Sequence, residues 1–121
     1  MSSDRLWQHR IGHILDSFER ILTYTAGMTK RSLEKNQMAV DAVIRNFQVI
    51  GEAAKHVPKP IRNRYPEIPW SMMQGMRHIV VHDYDQIDMN RVWQTIKDDL
   101  PPLLGPLRTI LVENPLPNDE T

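Results

Sequence analysis

Apolar residues return at three- and four-residue steps along almost the whole of this chain. Trp7, Ile11, Ile14, Leu15, Phe18, Ile21 and Leu22 mark an amphipathic helix from about Asp4 to Thr25. Asp4 suits its N-cap and Gly27 its stop. The spacing predicts a second helix over Leu33 to Val57, with Ala39, Val43, Phe47, Ile50, Ala54 and Val57 on the buried face; Pro58 and Pro60 end it. Between Pro58 and Pro69 there is room only for a short helical turn around Ile61–Tyr65. Pro69 fits the first turn of a third helix, from Trp70 through about His82. A fourth starts at Asp88 as N-cap and carries Val92, Trp93, Ile96 and Leu100. Pro101 and Pro102 must kink or restart it before Leu103–Leu111. Periodicity ends near Glu113, and Pro115 and Pro117 follow. Residues 1–112 therefore read as one domain and 113–121 as a disordered tail. No alternating strand pattern competes, so the expectation is an all-α, up-and-down bundle of roughly four to five helices.

Composition narrows the function classes. A chain of 121 residues is large enough for one hydrophobic core and too small for two. Its 15 basic and 15 acidic residues cancel, so bulk charge gives no attraction to a polyanion. Any nucleic-acid binding must come from a local basic cleft. The absence of cysteine excludes a disulfide scaffold and fits a reducing compartment. No apolar run approaches the roughly 20 residues that span a bilayer. Met1–Arg5 lacks the apolar stretch of a secretion signal. The expectation is a soluble cytoplasmic protein with no membrane partner.

Two features stand out against this background. Gly51 lies in the middle of the second predicted helix, where glycine costs about 1 kcal/mol relative to alanine. It marks either a close approach of two helices or room for a partner chain or ligand, and both require tight packing beside it. The second feature is the run Arg77-His78-Ile79-Val80-Val81-His82-Asp83-Tyr84. An always-charged donor beside an imidazole, which can give or take a proton at neutral pH, is a minimal kit for cutting a phosphodiester without metal.

On one ideal helix Arg77 and His82 stand about 140° apart. They could converge on a single phosphate only with help from a helix end or a second subunit, and a two-fold dimer would bring two arginines and two histidines into one cleft. Each residue also has a plainer reading. Arg77 could simply pair with a surface carboxylate, and His82 could sit at a helix C-terminus favoured by the macrodipole. His78 and His82 have the spacing of a metal pair, but a catalytic zinc site wants a third ligand and only Asp85 is near.

The spacing Arg77-x4-His82-x-Tyr84 resembles the signature of the HEPN superfamily, specifically the HepT-type toxins encoded beside a minimal nucleotidyltransferase antitoxin. The similarity extends to Ala42-Val43-Ile44-Arg45-Asn46 with Ile50-Gly51-Glu52-Ala53-Ala54. It continues in Tyr65-Pro66-Glu67-Ile68-Pro69-Trp70 with Gly75-Met76-Arg77, and in Val92-Trp93 with Leu100-Pro101, covering roughly residues 4 to 112. His78 stands where the family often has asparagine.

The resemblance implies a HEPN-type helical bundle forming a two-fold dimer. It further implies a metal-independent ribonuclease with RNA as substrate, no cofactor, and an antitoxin partner of the MNT nucleotidyltransferase type. By that analogy Arg77 and His82 are catalytic, His78 is a supporting polar group, and Tyr84 is the residue that the antitoxin modifies with AMP. The alternative is a HEPN scaffold without catalysis, binding nucleotide or RNA beside a nucleotidyltransferase, because a fold alone does not establish chemistry.

Overall fold

The computed structural model describes residues 7–81 and 87–116. Among them every regular element is helical. The order is α1 (Trp7–Tyr24), α2 (Lys30–Glu34), α3 (Gln37–Lys55), α4 (Lys59–Arg64), α5 (Trp70–Gly75), α6 (His78–Val81), α7 (Met89–Gln94) and α8 (Leu104–Glu113). A π-helical turn over Thr95–Asp99 and a 3₁₀ turn over Pro101–Leu103 join α7 to α8.

The core forms where the apolar stripes of α1 and α3 face each other. Ile11, Ile14, Phe18 and Ile21 of α1 are fully enclosed, as are Val43, Phe47, Ile50 and Ala54 of α3. Each of these side chains except the small Ala54 contributes about 1.5–3 kcal/mol when taken out of water. α8 adds Leu107 and Ile110 against α1, while α5 adds Met73 and lies on α3. No described helix is long and apolar enough to cross a membrane.

Side-chain caps set several of the boundaries. Thr29 and Ser32 cap each other's backbone at the start of α2. The Asn36 carboxamide oxygen accepts from the Ala39 amide at 3.0 Å and starts α3. Lys35 and Asn36 therefore interrupt the stretch expected to run unbroken from Leu33 to Val57. At the other end of α1, Gly27 takes a φ of 77°, a left-handed conformation that ends a helix with no side-chain penalty. Asp88 caps α7 as expected, accepting from the Arg91 amide at 3.1 Å.

The double proline is accommodated by widening the helix ahead of it. Leu100 donates to the Thr95 carbonyl, a five-residue step, at 3.0 Å. A proline ring would press on the carbonyl four residues back and cannot donate itself, so a looser turn before Pro101 relieves that conflict.

Tyr65 ties the last helix to the start of α5. Its hydroxyl donates to the Glu113 carboxylate at 2.8 Å and accepts from the Asn114 amide at 2.7 Å. Its own carbonyl accepts from the Trp70 indole at 2.9 Å.

Candidate functional site

Arg77 does not lie within a continuous helix. α5 stops at Gly75, and the Met76 amide turns back only three residues to the Met73 carbonyl, at 3.2 Å. Ile79 repeats that tightened step to Met76 at 3.3 Å as α6 begins. The single helix expected from Trp70 to His82 is thus interrupted at Met76–Arg77. The 140° separation of Arg77 and His82 assumed one ideal helix, and His82 lies outside the described residues.

The interruption sets the Arg77 backbone directly against Gly51. A Cβ on Gly51 would lie 2.9 Å from both the Arg77 Cβ and the Arg77 amide nitrogen, and 3.0 Å from the Gln74 carbonyl oxygen. The close helix approach expected at this glycine is therefore present, and the backbone it meets is that of the candidate catalytic arginine.

Glu52, the next residue along α3, reaches across to the arginine. Its Oε1 lies 3.2 Å from a terminal nitrogen of Arg77. On its other side the His56 ring Nδ1 lies 2.9 Å from the Glu52 carbonyl oxygen and 3.7 Å from Oε2. The Arg77 and Glu52 side chains are 33% and 54% exposed, so the pair adds little to stability. Its consequence is orientation: one terminal nitrogen is engaged, and a guanidinium carries five N–H donors.

This is the ion pair that the plainer reading of Arg77 anticipates, but it stands in the wall of a cleft. The cleft has a volume of about 520 Å³ and is lined by Arg45, Gln48, Val49 and Glu52 from α3 together with Arg77 and His78. His78, the first residue of α6, is exposed. The structure thus brings Arg77 and His78 to one cleft. His82 and Tyr84 fall outside the described residues, as does Asp85, and with them the metal alternative of His78, His82 and Asp85.

Glu52 escaped the reading of the sequence because its partner lies 25 residues away, in the turn between α5 and α6. The available signal was its position beside Gly51: a long carboxylate side chain next to a point of close backbone approach can reach the segment that the glycine admits.

Among the described residues the chain is an all-α bundle that presents an arginine from a broken helix into a cleft, consistent with the HEPN-type helical bundle that its sequence motifs resemble. Within that class, the chain belongs to the ribonuclease HepT-like family, which it matches over residues 14–110. It is 39% identical over 88 residues to Putative RNase MJ1216 of Methanocaldococcus jannaschii, covering 73% of each chain. Over 92 residues it is 35% identical to Probable ribonuclease HepT of Thermococcus cleftensis, covering 76% of this chain and 84% of that one. A third relative, Gamma-glutamylcyclotransferase and putative RNase MJ0434 of Methanocaldococcus jannaschii, is 36% identical over 103 residues. That alignment takes in 85% of this chain but only 46% of the relative, so this chain spans about half of that longer protein. No solved structure matches the chain.

Proposed function

We propose that this chain is a metal-independent endoribonuclease and the toxin half of a HEPN/MNT toxin–antitoxin pair. The observation that carries the reading is the Arg77 guanidinium, held by Glu52 in the wall of an open cleft in a member of the HepT-like family. RNA supplies its own nucleophile, so the protein need provide only proton transfer and charge stabilisation. The 2′-oxygen attacks the adjacent phosphorus as its proton leaves, and the bond to the 5′-oxygen breaks as that oxygen gains a proton. The products are a 2′,3′-cyclic phosphate and a 5′-hydroxyl. His82 acts as general base or acid in these transfers. Arg77 neutralises charge building on the phosphoryl oxygens, a task suited to its fixed fork of donors. His78 adds a hydrogen bond or a proton from the cleft wall. The working unit is a two-fold homodimer in which two copies of the motif share one cleft.

Cleavage of RNA by the purified protein should persist in excess EDTA and leave 2′,3′-cyclic phosphate ends, identified by mass spectrometry of the fragments. Loss in EDTA with recovery on adding zinc would transfer the chemistry to a His78–His82 metal site.

Regulation is assigned to Tyr84, two residues beyond His82 in the sequence. An AMP group on its hydroxyl brings bulk and negative charge next to the RNA site and repels the substrate backbone. Tyr84→Phe should keep substantial nuclease activity and resist covalent neutralisation. After incubation with the nucleotidyltransferase and ATP, intact mass should show added AMP on the wild type and none on the variant. Equal modification of both would place the acceptor elsewhere.

A further inference from the structure

The ribonuclease reading uses Arg77, its partner Glu52 and His78, and leaves the other half of the cleft lining unexplained. Arg45, Gln48 and Val49 all come from α3, upstream of Glu52. Steps of three, four and seven residues put Arg45, Gln48, Val49 and Glu52 on one helical stripe. That stripe leads from the Arg77–Glu52 contact along two turns of α3, roughly 10 Å.

The order of groups along it is specific. Val49 and Gln48 are half-buried, giving the floor an apolar patch with an amide beside it, and Arg45 is exposed at the far end. Carboxylates on the same helix are engaged by other groups. Asp41, one turn before Arg45, accepts from the Gln37 amide at 2.8 Å, and Glu52 is held by Arg77. Among the described residues Arg45 has no ion-pair partner. Arg45, an apolar patch with an amide, and the Arg77 donors left beyond its pair with Glu52 complement phosphate, base and phosphate along one nucleotide. The cleft volume of about 520 Å³ lies within the range of small-ligand sites, on the scale of one such unit.

We propose that Arg45, Gln48 and Val49 form a subsite for the nucleotide next to the scissile phosphate. Arg45 holds the neighbouring phosphate, the base lies against Val49, and Gln48 hydrogen-bonds the base edge. This rests on the ribonuclease reading and adds to it a source of sequence preference. Guanidinium–phosphate contacts position the strand without reading it, whereas an amide contact to a base edge discriminates.

The test uses short oligoribonucleotides spanning a mapped cleavage site, with the phosphate on either side of that site replaced in turn by a neutral methylphosphonate. With wild type, one of the two replacements should raise KM about tenfold, the effect of one charge-assisted contact in an open cleft, with kcat little changed. Arg45→Ala should raise KM for the unmodified substrate by a similar factor and be insensitive to that replacement. Arg45→Lys should recover part of the loss, which a merely structural role would not allow. Gln48→Ala should flatten the spread of kcat/KM among substrates that differ only in the neighbouring base. Equal sensitivity of wild type and Arg45→Ala to the neutral linkage, or an unchanged base preference in Gln48→Ala, overturns the subsite while leaving the nuclease reading intact. Failure of the wild type to cut RNA at all removes that reading, and the subsite with it.

Discussion

Replacing Arg77 with alanine should lower RNA cleavage by about a hundredfold or more, the usual cost of removing a charged donor from a transition state. The fold should survive the change. Alanine keeps the Cβ and amide nitrogen that face Gly51, and the lost ion pair with Glu52 is too exposed to matter for stability. Arg77→Lys should recover only part of the activity, because an ammonium keeps the charge but not the two-pronged geometry. His82→Ala should cause a comparable loss by removing proton transfer, with helicity and oligomeric state unchanged. Cleavage assays on purified proteins, with circular dichroism and sedimentation alongside, separate these effects. Full activity in either alanine variant would eliminate the proposed mechanism.

The second large effect is expected from one added methyl group. In Gly51→Ala the new carbon would stand 2.9 Å from the Cβ and nitrogen of Arg77 and 3.0 Å from the Gln74 oxygen. Unbonded carbon atoms settle at about 3.5–4.0 Å. Two of the three obstructing atoms are backbone and the third is a Cβ, so none can swing aside as the tip of a long side chain could. α3 and α5 must separate, or the chain at Arg77 must shift. Overpacking of this kind costs about 1–3 kcal/mol, against roughly 1 kcal/mol gained from better helix propensity. A displacement of about 1 Å at a catalytic group can cost on the order of a hundredfold in rate. Gly51→Ala should therefore melt earlier, and should cleave RNA at least about tenfold more slowly even where it is fully folded. Denaturant titration and kinetics well below the melting point test the two parts. A variant more stable than wild type and equally active would show that α5 yields without consequence for Arg77.

How much of this was visible in the sequence depends on what periodicity can carry. The stripes Ile11–Ile14–Phe18–Ile21 and Val43–Phe47–Ile50–Ala54 were legible because each packs continuously against the other. The break at Lys35–Asn36 was not. Leu33 and Val40, seven residues apart, are both buried, so the apolar phase runs straight through the interruption. The second hidden break has a similar cause. Met73, Met76 and Ile79 step by three, a spacing that an α-helix and a tightened 3₁₀ turn share. The prolines at 101 and 102, in contrast, announced a disruption and left only its form open, which proved to be the π-turn over Thr95–Asp99. At the site, the need for tight packing at Gly51 could be read from one residue, but the identity of its neighbour could not. The pairing of Glu52 with Arg77 joins α3 to the turn between α5 and α6, and nothing local in either segment encodes it. The roles given to His82 and Tyr84 still rest on the sequence motif.

The bonds made by Tyr65 bear on how the two ends of the second half of the chain share free energy. Its hydroxyl is bound by Glu113 and Asn114, and its carbonyl by Trp70, the first residue of α5. α5 leads within two residues of its end to Arg77. One side chain and its own carbonyl therefore span the closing turn of α8 and the opening turn of the helix that delivers the arginine. Thermodynamic linkage makes such sharing reciprocal: a ligand or fused segment that favours the bound form of Tyr65 also favours the ordered start of α5. In that energetic sense the end of α8 and the start of α5 share one anchor, Tyr65.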